Sequence, residues 1–323
     1  MAGQRCGSGC NSLRRGPDEV GRPRKLHCRC EGRGLKRSPC SDEDMPLSPS
    51  ATRELLLQLN HRPKKKLGQN FLTDGNIVEK SIAMADLPKG MATLEVGPGL
   101  GTLTQELLKY AQTVHAVEFD GNLCQNLRER FASFISQGKL ILTEKDAVKN
   151  PLGSIPLDCP DYMVVANLPY AISSAWMEAL LATRQIPRRM VLMLQKEAVE
   201  RMWAKPNGKS FNALSVFLHA SYTLEISHSV SRQCFHPVPK VDSVLIRMDR
   251  LKSPYLFSDE SRHLIRRIFT QRRKQMGSLA RREKPQYQSK LMDWLNQNQL
   301  PANLRAEQIP PQAWRKLAQS LNT

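Results

Sequence analysis

The chain is short of three things. Only 6% of its 323 residues are aromatic, and apolar runs such as Met163–Ala166 and Met190–Leu194 are strand-length, far below the roughly 18 residues that a membrane-spanning helix needs. A membrane span is therefore excluded and a soluble protein expected. Acidic residues are also scarce: 30 Asp plus Glu face 48 Lys plus Arg, a formal charge of +18. An imbalance of that size argues against an acidic, freely diffusing metabolic enzyme and for a polyanionic partner, nucleic acid or anionic lipid. The third lack is of any paired C-x2-C framework. Five of the eight cysteines, Cys6, Cys10, Cys28, Cys30 and Cys40, crowd the first 40 residues beside His27. Their C-x3-C and C-x-C spacings, without apolar neighbours to close a small domain, predict no metal site. Cys124, Cys159 and Cys234 are scattered as reduced thiols are, and no disulfide framework is expected.

Hydrophobic residues still make up 40% of the chain, enough at this length for one large domain or two of ordinary size. The apolar content is uneven. Residues 1–50 are rich in Gly, Pro, Ser and Arg and nearly devoid of Ile, Phe, Tyr and Trp, so they cannot bury enough surface to offset their ordering entropy. Residues 1–60 are expected to be a disordered extension. It has no apolar h-region of a secretory signal and too many acids for a transit peptide. Met45, just before the helix-compatible stretch Ser50–Leu59, is a plausible start.

From residue 61 to about 254, β-rich runs alternate with amphipathic helices. Thr93–Val96, Thr113–Glu118, Lys139–Thr143, Tyr162–Ala166 and Arg189–Leu194 read as strands, with helices such as Leu103–Tyr110 and Leu123–Phe134 between them. This predicts a doubly wound, mainly parallel α/β sheet. Tyr222–Ser229 and Asp242–Met248 lack an intervening helix and predict an antiparallel edge hairpin. After residue 255 only helical spacing remains (Leu264, Ile265, Ile268, Phe269, Met276, Leu279, then Leu291–Gln297 and Pro311–Leu321). Residues 255–323 are expected to form a small all-helical domain.

Four strand ends carry chemistry. Leu94–Thr104 is a strand, a glycine turn and a helix start, but the third glycine of a dinucleotide fingerprint falls on Thr102, so a pyrophosphate-binding loop, and with it a nicotinamide dehydrogenase, is disfavoured. About 20 residues on, Glu118 ends the next strand, where a carboxylate can accept from both ribose hydroxyls. Asp146 ends the third and can accept from an adenine amine, although a lone Asp there is more often a helix cap. A nucleoside ligand fits both. The fourth strand runs into Asn167-Leu168-Pro169-Tyr170. An amide oxygen and a turn carbonyl aimed at one point, beside an aromatic face, can hold the two protons of an aromatic amine. That is what methylation of adenine N6 requires, and the sulfonium of S-adenosylmethionine is electrophilic enough to need positioning more than a strong base.

Taken together, Lys66-Leu67-Gly68-Gln69-Asn70-Phe71-Leu72, Glu95–Gly101, Glu118, Asp146, Asn167–Tyr170 and Phe235–Ser243 resemble the KsgA-type small-subunit ribosomal RNA adenine N6,N6-dimethyltransferases across roughly residues 62–323. The resemblance implies a Rossmann-like methyltransferase sheet, S-adenosylmethionine as cofactor, and two methylated adenosines near the 3′ end of the 16S RNA in the immature small subunit. It also implies a monomeric, cytoplasmic enzyme. Asn70, Leu72, Gly97, Glu118, Asp146 and Asn167 would contact the cofactor: Gly97 its methionine part, Glu118 the ribose, Asp146 the adenine. Asn167, Leu168, Pro169, Tyr170 and Phe235 would form the catalytic set, with Tyr170 and Phe235 sandwiching a flipped adenine. The large-subunit RNA methylases of antibiotic resistance share much of this pattern, and a non-catalytic RNA-binding assembly factor is a further alternative.

The charge divides unevenly. Residues 1–66 hold 15 Lys or Arg against 7 acids, and Arg262–Lys290 holds 10 against Glu283 alone. One-sided blocks repel themselves unless a polyanion neutralises them. RNA contacts are therefore expected at Lys64, Lys65 and Lys66 and at Arg272, Arg273 and Lys274. Arg188-Arg189 reads as surface charge.

Overall fold

The structure, a computed structural model, describes residues 46–321. The expectations on residues 1–45, including the cysteines and the start at Met45, lie outside the described residues. The order begins earlier than residue 61. Ser48 accepts the Ala51 N–H and starts helix α1 (Pro49–Gln58). Leu56 of that helix is buried against Phe71, Leu100 and Leu123. Burial of this face orders the segment, which coincides with the helix-compatible stretch Ser50–Leu59. The short strand β1 (Phe71–Leu72) and helix α2 (Gly75–Ala85) follow.

Then come β2 (Ala92–Val96), α3 (Thr102–Tyr110), β3 (Thr113–Glu118), α4 (Gly121–Arg130), α5 (Ala132–Ser136), β4 (Leu140–Glu144), β5 (Tyr162–Asn167), α6 (Ser173–Leu180), β6 (Arg189–Gln195), α7 (Lys196–Met202), α8 (Ala213–Ser221), β7 (Tyr222–Val230), β8 (Phe235–His236) and β9 (Ser243–Arg250). The seven-stranded sheet has the order β4-β3-β2-β5-β6-β9-β7. The first five strands are parallel, and β9 and β7 are antiparallel. The predicted strands are all present with ends shifted by a residue or two. The edge pair is not a tight hairpin, because residues 231–242 between β7 and β9 contribute β8, which pairs with β1 in a second small sheet. The expected helix Leu123–Phe134 is broken at Phe131, whose φ of −109° and ψ of 23° leave the helical region.

Alternation along the central strands feeds two cores. Val164 and Ala166 face one with Trp176, Leu180 and Phe217, while Met163 and Val165 face the other with Val78, Leu107 and Leu127. Buried on both faces, β5 and β6 read as continuous apolar runs, as parallel strands do. The first core continues without a break into α9 (Asp259–Phe269), α10 (Met276–Arg282), α11 (Pro285–Gln297) and α12 (Pro311–Leu321). Phe211, Phe269, Trp314 and Trp294 form an aromatic chain with centroids 5.3–5.9 Å apart. Leu264 to Leu279 is not one helix: a turn at 270–275 separates α9 from α10. It is held where the Met276 and Gly277 N–H groups donate to Leu304 and Ala302 carbonyls.

Candidate active site

Strand order reverses between β2 and β5, and ligands of open α/β sheets bind in the crevice at that point, outside the carboxyl ends of the strands. A cleft of about 1100 Å3, its mouth included, opens there. Asn70, Leu72, Gly97, Glu118, Asp146, Asn167, Leu168, Pro169 and Tyr170 all line it.

The glycine loop is a spacer held from both sides. Gly97 has φ +70°, and a Cβ on it would lie 2.7 Å from Pro169 Cγ; one on Gly99, φ +61°, would lie 3.1 Å from the Phe71 ring. The turn after β5 thus presses on the loop after β2. The β1–β8 pairing, Leu72 opposite Phe235, ties Asn70 to the segment carrying Phe235.

Glu118 is buried at the tip of β3. Its Oε1 accepts the N–H groups of Phe119 (2.8 Å) and Asp120 (3.0 Å), and its Oε2 accepts that of Gly99 (3.1 Å). Burial raises its carboxyl pKa, against the lowering effect of those three donors. Asp146 caps a turn, Oδ1 accepting the Val148 N–H at 2.9 Å. No helix follows, so Asp146 is a turn residue rather than the helix cap that a lone Asp there suggests, and it lines the cleft. Asn167, the last residue of β5, donates from Nδ2 to the Asn70 carbonyl at 3.1 Å. This bond fixes the amide plane and leaves Oδ1 without a donor among the described residues. The Tyr170 hydroxyl bonds Ser243 Oγ at 2.5 Å, and burial raises its pKa. The Tyr170 ring meets that of the buried Phe235 edge to face, with centroids 6.5 Å apart and an interplanar angle of 66°. The two rings do not form a parallel slot in this geometry, so stacking a base between them needs a ring rotation.

Two features escaped the sequence reading. Glu95, on β2 two residues before the glycine loop, lines the cleft at 1% exposure, with Oε2 lacking a hydrogen-bond partner among the described residues. Burial, with the neighbouring Glu118 charge adding to it, pushes its carboxyl up to about 8. The available signal was a charged residue inside an otherwise apolar strand. The second feature is a polar clasp. Gln69 Oε1 accepts the Lys64 N–H (2.7 Å) and bonds His61 Nε2 (3.2 Å), while Gln69 Nε2 donates to Asp120 Oδ2 (3.1 Å).

That clasp changes the meaning of Lys64, whose Nζ is 2.8 Å from the buried Asp120 carboxylate. Lys64 is committed to the protein; Lys65 and Lys66 are exposed, and Lys66 borders the cleft. Arg272 likewise gives two hydrogen bonds, 2.6 and 2.9 Å, to Glu307. Arg273 and Lys274 are exposed. The argument that the Arg262–Lys290 block needs a polyanion is corrected in part, since Arg262, Arg266, Arg267 and Arg272 pair with Asp259, Glu178, Glu283 and Glu307. Glu178 and Glu307 come from outside the block, which the local sequence could not reveal. Among the described residues, no group of three His, Cys, Asp or Glu side chains could hold a metal ion, and no helix is long and apolar enough to cross a membrane.

Comparisons with known proteins agree with this geometry. The family model described as ribosomal RNA adenine dimethylase matches residues 60–322. A ribosomal RNA small subunit methyltransferase A of Opitutus terrae is 46% identical over 84% of this chain and 98% of its own length. A protein of the same name from Geobacillus kaustophilus is 36% identical over 70% of this chain and 79% of its own. The crystal structure of a dimethyladenosine transferase from Plasmodium falciparum superposes with a TM-score of 0.62 at 25% identity, covering 78% of this chain and 97% of that one. That of the 23S rRNA methyltransferase ErmE gives 0.57 at 24% identity over 79% and 100%, a likeness of fold. With a match spanning the cleft, both cores and the C-terminal helices, the chain belongs to the ribosomal RNA adenine dimethylase family.

Proposed function

We propose that this protein dimethylates N6 of two adjacent adenosines near the 3′ end of small-subunit (16S) ribosomal RNA. It would use S-adenosylmethionine and act as a cytoplasmic monomer on immature small subunits. The observation that carries the reading is Asn167, whose amide is locked by the Asn70 carbonyl with Oδ1 left to accept.

The donor set of the cleft fits the cofactor. Glu118 Oε2 takes a single N–H and keeps acceptor capacity for ribose hydroxyls. Asp146 suits the adenine amine, Glu95 Oε2, without a partner among the described residues, suits an ammonium whose charge would draw the proton off this raised carboxyl, and Gly97 presents bare backbone where a side chain would not fit. Asn70 and Leu72 close the cleft from the N-terminal side. When bound, S-adenosylmethionine supplies a methyl group on a positively charged sulfur.

The chain's own residues then position the target. Asn167 Oδ1 and the Leu168 carbonyl accept the two protons of the adenine amine, turning its lone pair out of the ring plane and toward the cleft. Pro169, with no N–H of its own and held against Gly97, keeps a competing donor away from that point. Tyr170, tethered through Ser243, and Phe235 provide aromatic surface for the extruded base. The methylated nitrogen is acidic and releases its proton to water, so a neutral Asn suffices. Lys65, Lys66, Arg273 and Lys274 are free to meet phosphates, with residues 255–323 as the RNA-contacting part.

The test is incubation of the protein with labelled S-adenosylmethionine and immature small subunits. Label on N6 of adjacent adenosines near the 3′ end is the expected result. Label on large-subunit RNA would select the resistance-type methylase, and binding without label a non-catalytic assembly factor.

A further inference from the structure

At the end of the sheet opposite the cleft lies a second, basic pocket. Its lining includes Arg184, Arg188, Arg250 and Lys252 against the single acid Asp161. Arg250 is partly spent on Asp161 at 3.3 Å. Arg184, Arg188 and Lys252 are exposed, and no carboxylate among the described residues pairs with them. The pocket is firmly framed. The Arg188 N–H donates to the Tyr162 carbonyl, the Arg250 N–H to the Arg188 carbonyl, and Arg250 Nη1 to the Ile186 carbonyl at 2.7 Å. Gln185 Nε2 bridges the Pro156 and Cys159 carbonyls across its wall.

Two facts make the cluster more than scattered surface charge. Outside residues 1–66 and Arg262–Lys290 the remaining 228 residues carry a net charge of only +1, yet four cations converge here. Moreover, the adjacent pair Arg188-Arg189 divides its labour. Arg189 turns to Asp249 (2.6 Å) and Asp86 and is structural, whereas Arg188 is presented to the pocket. With one carboxylate, Asp161, against four cations, the excess left on Arg184, Arg188 and Lys252 repels itself and is relieved by phosphate.

We infer that this pocket is a second docking site for the RNA backbone of the substrate particle, separate from the catalytic edge. The inference rests on the proposed function for its substrate. Tyr162 and Asn167 mark the two ends of β5, five residue steps apart, or about 16 Å at strand rise. No single nucleotide reaches both ends. Contact at both selects a folded RNA over a short strand.

The test uses the full chain with Arg184, Arg188 and Lys252 all changed to Ala, and a charge-preserving control, Arg184→Lys, Arg188→Lys and Lys252→Arg. Binding to immature small subunits is measured across a salt series, with S-adenosylmethionine affinity and thermal unfolding as checks on the fold. The alanine variant should bind particles about 10-fold or more weakly at moderate salt, with a log–log salt slope shallower by about 2, as expected for two to three lost phosphate contacts. Cofactor affinity should be unchanged, and the control should keep the wild-type slope. Unchanged affinity and slope in the alanine variant would overturn the inference. So would a loss of affinity at constant slope, which would indicate a ribosomal protein. If the control loses as much as the alanine variant, charge is not the cause and the inference falls. If the wild type prefers large-subunit RNA but shows the same slope difference, the functional reading fails and the pocket stands.

Discussion

Gly97→Ala tests whether the glycine loop and the turn after β5 are one mechanical unit. Two costs are readable. At φ +70° an L-residue is in the left-handed region, a penalty of about 1–2 kcal/mol. The new Cβ would also meet Pro169 Cγ at 2.7 Å and Cδ at 2.9 Å, and relieving such overpacking costs about 1–3 kcal/mol and a shift of several tenths of an ångström or more. The loss of stability should total about 2–5 kcal/mol. Pro169 is flanked by Leu168 and Tyr170, so a shift of the turn displaces the Asn167 amide, and misplacement on the scale of 1 Å can cost about 100-fold in rate. Gly138→Ala is the matched control. Its φ is +69°, but nothing lies within 4 Å of its Cβ, so it carries the backbone penalty alone. Urea unfolding and labelled methyl transfer should show Gly138→Ala down by about 1–2 kcal/mol with near-normal transfer, and Gly97→Ala down by more, with transfer reduced about 100-fold. Equal destabilisation of the two, with transfer retained in both, would refute the coupling.

Asn167→Ala should cut transfer by about 100–1000-fold, the usual loss for removing one positioned polar group, while cofactor affinity measured by calorimetry changes little. An equal collapse of affinity would show that Asn167 serves the cofactor instead. For Glu95, burial holds the folded carboxyl at about 8 against an ordinary value of 4.5. A raised acid is a stability contribution present below the unfolded value and lost as pH climbs through the folded one. Glu95→Gln should therefore gain on wild type in cofactor-free melts as pH rises from about 5 to 8, yet bind S-adenosylmethionine more weakly. A pH-independent difference would discard the assignment. Lys64→Ala removes a partner of the buried Asp120 carboxylate and should lower stability by about 1–3 kcal/mol with no change in the salt slope of RNA binding, whereas Arg273→Ala should leave stability alone and make that slope shallower by about 1. Reversed outcomes would restore Lys64 as an RNA contact.

What was legible in the sequence were features with a short period or a short span. Alternating and continuous apolar runs fixed the strands, because side-chain direction repeats every two residues. Glu118, Asp146 and Asn167 could be placed on one edge because each ends a parallel strand. The strands β1 and β8 gave no signal at two residues each, since their pairing joins segments over 160 residues apart.

By itself, then, the sequence determined the main sheet, the strand-end positions of Glu118 and Asn167 and the kind of cofactor, all properties of local pattern and residue chemistry, but not the buried Glu95. Only the tertiary structure decided which charges are available. Asp120, Glu178 and Glu307 reach across the fold to Lys64, Arg266 and Arg272, while Arg184, Arg188 and Lys252 find no such partner among the described residues. A net charge is a sum over residues, but neutralisation depends on distances of a few ångströms, and those exist only once the chain is folded.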